Sequence, residues 1–117
     1  MSETISQTIA DYVQAMAQAD GNMLREVLDP RANIVGNYEG ATEWLSVEDF
    51  IHQLRSAEQG LQESQYEFDI IGIDKVGDTA SVKLTTQMGS VVFCEYLSLL
   101  ERERNWTITH KLYYLQG

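Results

Sequence analysis

Two hydrophobic periods divide the chain. In the first half the apolar positions recur at helical spacing, and after residue 65 they alternate. Ile5, Ile9, Tyr12, Val13 and Met16 stand at i, i+4, i+7, i+8 and i+11, one face of a helix. Asp20-Gly21-Asn22 interrupts it and can cap a short second helix carrying Met23, Leu24, Val27 and Leu28. Asp29-Pro30 ends that helix, since proline lacks the amide donor and disfavours helix in the residue before it. Ala32 to Val35 reads as a short strand, followed by turn residues Gly36-Asn37 and a second glycine, Gly40. A third helix starts at Ser46, paired with Asp49 in a capping-box-like arrangement. Val47, Phe50, Ile51 and Leu54 form its apolar face, and Gly60 is its predicted stop.

Beyond residue 65, Tyr66 to Lys75 is rich in aromatic and β-branched residues and ends at a Val76-Gly77-Asp78 turn. Thr79 to Met88 alternates Ala80, Val82 and Leu84 against Ser81, Lys83 and Thr85. Val91 to Leu100 and Trp106 to Leu115 follow, joined across Glu101-Arg102-Glu103-Arg104-Asn105. Helices first and long antiparallel hairpins second predict an α+β domain with helices packed on one sheet face. With no repeat, low-complexity tract or linker, residues 1–117 read as one domain.

Charge narrows the partners. The chain holds 18 acids and 8 bases, a formal charge of −10. Residues 1–70 carry thirteen acids and three bases, while residues 71–117 carry five of each. The acidity therefore belongs to the helical exterior, where it favours solubility. It disfavours nucleic acid and anionic membranes, which need clustered Lys and Arg. The apolar fraction of 44% is that of a globular protein. The single cysteine, Cys94, cannot form an intramolecular disulfide, and no Cys/His group has zinc spacing, so neither metal nor cofactor is expected. Met1-Ser2-Glu3-Thr4-Ile5 has no signal-peptide pattern and no apolar run approaches a membrane span, so a cytoplasmic protein is expected.

The last hairpin yields candidate chemistry. A two-residue turn at Arg102-Glu103 sets Leu99 opposite Trp106, Leu97 opposite Ile108 and Glu95 opposite His110, all on one face. The apolar members make that face the buried one, so Glu95 and His110 would lie together inside. A carboxylate beside an imidazole supports the charged form of each and is a candidate acid/base dyad. The same pair also fits a plain cross-strand contact where the sheet meets water, and a register one residue off would separate the two. Tyr12, inside the first helix's stripe, directs its ring inward and needs a partner for its hydroxyl, from the core or from a ligand. Asp69 shares a face with Ile71 and Ile73 if its strand is regular, and a bulge would turn it out. Trp44 fits a pocket mouth or a partner contact equally well, and His52 is expected in solvent. Cys94, Tyr96, Ser98, Thr107, Thr109 and Tyr113 fall on the opposite sheet face, whose mixed character suits a two-fold homodimer.

Three stretches carry a resemblance: Ile9-Ala10-Asp11-Tyr12-Val13-Gln14-Ala15-Met16 with Asp20 and Leu24; Asp29-Pro30-Arg31-Ala32-Asn33-Ile34 with Gly36 and Gly40; and Phe93-Cys94-Glu95-Tyr96-Leu97-Ser98-Leu99-Leu100 with Trp106-Thr107-Ile108 and Lys111. Together they resemble the nuclear transport factor 2-like superfamily, most closely its putative lumazine-binding branch. The resemblance implies a cone: a strongly curved, mostly antiparallel sheet wrapped around three helices, enclosing a pocket, commonly in a homodimer. It implies a small-molecule ligand, with Tyr12, Trp44, Phe93, Glu95, Leu97, Trp106, Ile108 and His110 as the expected lining. One superfamily member, ketosteroid isomerase, uses a tyrosine and a protonated acid as an oxyanion hole beside an aspartate base. Tyr12 matches that tyrosine and Glu95 falls near the acid, but the base's place falls at about Gly36-Asn37, which has no carboxylate. The resemblance thus favours binding. An isomerase, dehydratase or cyclase using Glu95, His110 and Tyr12, or a dimeric assembly module, are the alternatives.

Overall fold

A computed structural model describes residues 4–57 and 66–117. The first helix, α1, spans Ile5–Gln18. The Thr4 side chain accepts the Gln7 amide at 3.0 Å, and Ala19 closes the helix in the left-handed region at φ 50°. Asp20 then caps α2 (Gly21–Val27) by accepting the Met23 amide at 3.1 Å. Every apolar residue read into the α1 stripe is buried. The third helix, α3 (Val47–Ala57), begins as expected, with the Ser46 hydroxyl accepting the Asp49 amide at 3.1 Å. The predicted stop at Gly60 lies outside the described residues.

Six strands follow the order β2-β1-β6-β5-β4-β3 in one curved, unclosed sheet. They are β1 (Leu28–Tyr38), β2 (Ala41–Ser46), β3 (Tyr66–Val76), β4 (Thr79–Met88), β5 (Val91–Arg102) and β6 (Asn105–Leu115). All neighbours are antiparallel except β1 and β6, which run parallel. The helices cover the inner face, and between them lies a core that includes Ile9, Leu24, Ile34, Val82, Leu84, Leu97 and Ile108, all fully buried. Each such side chain contributes about 1.5–3 kcal/mol by leaving water. No helix among the described residues is long and apolar enough to cross a membrane.

Around β1 the strand reading differs in two places. First, β1 is longer than Ala32–Val35, and its ladder with β6 is interrupted between Leu28 and Asn33. Pro30 falls in that interruption, where no ladder donor is required. Asp29 beside it accepts from the Arg31 amide at 2.8 Å and from the Arg102 guanidinium at 2.6 Å. The hydrogen bonds from Arg31, then those from Arg102, hold its carboxyl well below the usual carboxylate range. Second, Gly36-Asn37 is not a turn. Gly36 lies within β1, and the chain reverses at Glu39-Gly40, both at positive φ, into β2. A β-carbon on Gly36 would sit 2.3 Å from the Tyr113 carbonyl oxygen, so this glycine serves close packing of strands rather than a turn.

Candidate functional site

Three inner-face strand positions and one helix position converge on Glu95. Alternation along β4 and β5 points Thr86 and Glu95 inward, and β6 contributes Lys111 and Tyr113. Glu95 is only 1% exposed. Its Oε1 accepts the Tyr12 hydroxyl of α1 at 2.6 Å, and its Oε2 accepts the Thr86 hydroxyl at 2.5 Å. Lys111 Nζ approaches Oε1 to 3.6 Å, so a buried charge pair is held within the sheet. Both hydroxyls donate, which fits an ionised carboxylate as acceptor.

Aromatic rings surround the Lys111 ammonium. Its Nζ lies 4.5 Å from the centroid of Phe50, 5.2 Å from Tyr113 and 5.4 Å from Tyr12, and 3.7 Å from Met16 Sδ. Desolvated cation–π contacts of this kind are worth about 2 kcal/mol. Burial pushes Lys111 below the ordinary lysine pKa, and the charge of Glu95 opposes that shift. Burial, reinforced by Glu95, raises Tyr12 well above the ordinary tyrosine value, so its hydroxyl stays protonated and continues to donate. Tyr113 is raised for the same first reason, and then by Glu43, whose Oε1 accepts its hydroxyl.

Beside this cluster is a cavity of about 190 Å³. Met16, Leu45, Phe50, Leu54, Met88 and Phe93 make its apolar wall. Glu43, Gln53, Glu95, Lys111, Tyr38 and Tyr113 supply its polar groups. Apolar lining with a few convergent polar groups is the usual form of a small-molecule site. Glu43 is directly opposite Gly36 in the β1–β2 ladder, so a carboxylate does reach the region where the sequence has none.

The chain matches the family described as putative lumazine-binding over residues 1–114. It belongs to that family. Among solved structures, an NTF2-like protein of unknown function from Silicibacter pomeroyi DSS-3 is 26% identical, with a TM-score of 0.88, 96% of this chain and 92% of that one being covered. An NTF2-like protein from Shewanella baltica OS155, also of unknown function, is 21% identical, with a TM-score of 0.84 and coverage of 97% and 91%. A ketosteroid isomerase-like protein from Erwinia carotovora atroseptica SCRI1043 shares the fold at 13% identity, with a TM-score of 0.72 and coverage of 97% and 94%. No curated protein matches.

In this member of the putative lumazine-binding family, Phe93 and Glu95 line the cavity, and Tyr12 stands behind Glu95. Leu97, Trp106 and Ile108 are buried core away from the cavity lining. Glu95 does not face His110. The turn falls at Glu103-Arg104, both at positive φ, one residue later than read, so Arg102 pairs with Asn105. A bulge between the Leu99–Ile108 and Ser98–His110 pairs then adds a further residue to β6. Glu95 is consequently opposite Tyr113, and His110 pairs with Ser98 and Asn33 on the outer face. The same bulge carries Tyr113 inward, away from the outer-face set in which alternation had put it, and brings Leu112 and Tyr114 outward.

Trp44 is opposite Val35 on the outer face and is 69% exposed, clear of the cavity. A bulge between Ile70 and Gly72 leaves Asp69 exposed across from Thr85. His52 is exposed, as read. Lys111, Thr86 and Glu43 were not singled out as site residues. No sequence signal marks Lys111: Leu112 and Tyr114 continue the even-numbered apolar positions of Trp106 and Ile108, and only the ladder shows the bulge that turns Lys111 inward.

Proposed function

We propose that the chain binds a small, largely apolar molecule in the cavity on the inner face of the sheet, with Glu95 and Lys111 as orienting polar groups. The observation that carries this reading is a buried charge pair at the wall of an otherwise apolar cavity. Such a pair adds little to folding compared with apolar packing of the same volume, and it fits a role toward a ligand. Tyr12 and Thr86 are positioning residues that hold the carboxylate. The family's description, putative lumazine-binding, supports a small-molecule ligand, while the NTF2-like relatives of unknown function support the fold alone. A thermal-shift screen of planar aromatic compounds tests the reading. A true ligand at about 100 times its Kd stabilises the native state by about 2.7 kcal/mol. That stabilisation is expected in the wild type and lost in Leu54→Trp, which fills the cavity. Compounds that stabilise both proteins equally, with none selective, would overturn it.

One observation favours an isomerase, dehydratase or cyclase as the second reading: Glu43 brings a carboxylate to the cavity opposite Gly36. The same screen separates the two. A selective hit consumed by the wild type and spared by Glu43→Gln is a substrate, whereas a hit left unchanged is a ligand.

The outer face supports a homodimer in either case. Trp44, Tyr96, Leu112 and Tyr114 are all exposed there, an apolar patch of the kind that marks protein contacts. Sedimentation is expected to give a dimer for the wild type and a monomer for Tyr114→Glu. A monomeric wild type would remove the proposal.

A further inference from the structure

We infer that Lys111 is a nucleophilic amine: the cavity admits a small aldehyde or ketone, and Lys111 Nζ condenses with its carbonyl carbon to form an imine. This rests on the reading of the cavity as a small-molecule site and names the substrate class of that site.

The argument starts from what Lys111 is not used for. An ammonium carries three donors, and among the described residues the hydrogen-bond and ion-pair partners of Nζ are Met16 Sδ at 3.7 Å and Glu95 Oε1 at 3.6 Å, both long contacts. Glu95 has other partners besides Lys111, since each carboxylate oxygen also accepts a hydroxyl, from Tyr12 or Thr86. Phe50 and Tyr113 shield Nζ from water at the cavity wall. Desolvation in an apolar pocket is the established way to make a lysine amine nucleophilic. Among the described residues the titratable groups that face this amine are Tyr12 from α1, Glu95 from β5, Tyr113 from β6 and Glu43 from β2. α3 contributes only the ring of Phe50.

The step balances without an outside oxidant or reductant. The Lys111 ammonium passes one proton to the Glu95 carboxylate. The free amine attacks the carbonyl carbon, the C–N bond forms, and the carbonyl π electrons move to oxygen. A proton leaves nitrogen for that oxygen, giving a carbinolamine. Glu95 returns its proton to the hydroxyl, which departs as water while the nitrogen lone pair closes the C=N bond. The product is an iminium beside the regenerated carboxylate.

The chain contains three lysines, and the other two, Lys75 and Lys83, are exposed. They serve as internal controls. Benzaldehyde is the probe, since dry cavities of about 150 Å³ hold benzene. The protein is treated with benzaldehyde and cyanoborohydride at pH 7, and benzylated lysines are located by peptide mass spectrometry. Simple accessibility predicts Lys111 to be labelled last. The expected result is Lys111 labelled at least ~10-fold faster than Lys75 and Lys83, whose amines stand in water rather than against an apolar cavity. Benzyl alcohol, matched in shape but without a carbonyl, should slow labelling at Lys111 alone. Glu95→Gln should slow it ~10-fold or more. Lys111 labelled no faster than the exposed lysines would overturn the proposal. If benzyl alcohol nevertheless stabilises the wild type and not Leu54→Trp, the imine fails and the cavity reading stands. If it stabilises neither, both fail.

Discussion

Glu95→Ala is expected to lower the free energy of unfolding by about 3–5 kcal/mol at pH 7, the range for removing one member of a buried ion pair. Three groups lose a partner at once. Lys111, 6% exposed, loses the carboxylate at 3.6 Å that offsets its burial. The hydroxyls of Tyr12 and Thr86 lose their acceptor in fully buried positions. Each unsatisfied buried polar group costs about 1–3 kcal/mol, and water entering from the cavity would relieve part of that. The decisive comparison is the double variant Glu95→Leu with Lys111→Met. Replacing both charges by apolar side chains is often neutral, so the double variant should lose less than half of what Glu95→Ala loses. Urea unfolding of the wild type, both single variants and the double variant measures the coupling directly. A Glu95→Ala loss below about 1 kcal/mol would mean that the pair is solvated, and the orienting role of Glu95 would fall with it.

The contrast between what the residues revealed and what they concealed follows from the range of the forces involved. Helix stripes and caps are local, so α1, α2 and the start of α3 are readable from Ile5 to Met16, from Asp20 and from Ser46. Strand existence is also local: Thr79–Met88 is visible in its alternation. Register is not local. It depends on where a turn falls, and Glu103-Arg104 takes up left-handed backbone without the Asn-Gly signal that would advertise it. It depends again on a bulge that leaves no trace in the alternation, since Leu112 and Tyr114 continue the even-numbered apolar positions of Trp106 and Ile108. Because the side-chain period of a strand is two, the bulge exchanges the faces of every later residue in β6. That one residue replaces His110 by Lys111 at the site and converts Tyr113 from an outer contact to a cavity wall. The inward placement of Glu95 was legible from Leu97 and Leu99 on its own strand and that of Tyr12 from the α1 stripe, whereas the partner read across from Glu95 rested on β6 and was displaced. The acidic half of the chain contributed the unexpected member, Glu43, because the β2 strand that presents it is short and half-exposed and has little apolar alternation to show.

Gly36→Ala is expected to cost about 3 kcal/mol or more, the upper end for overpacking a filled site. The added β-carbon would meet the Tyr113 carbonyl oxygen at 2.3 Å and its ring carbon Cγ at 2.5 Å. Neither strand has room to retreat, since Gly36 pairs with Tyr113 of β6 on one side and with Glu43 of β2 on the other. Gly72→Ala is the control: it also lies in a strand, but nothing stands within 4 Å of its would-be β-carbon, and a change within about 0.5 kcal/mol is expected. Equal losses for the two variants would refute the close-packing account of Gly36. The consequence extends to the site, because the atoms that must yield belong to Tyr113. Moving that ring withdraws its hydroxyl from Glu43 and removes one of the three rings around Lys111. A Gly36→Ala protein that still folds should therefore lose the preferential labelling of Lys111 over Lys75 and Lys83. Gly72→Ala should keep it, which ties a backbone position with no side chain to the chemistry of the cavity.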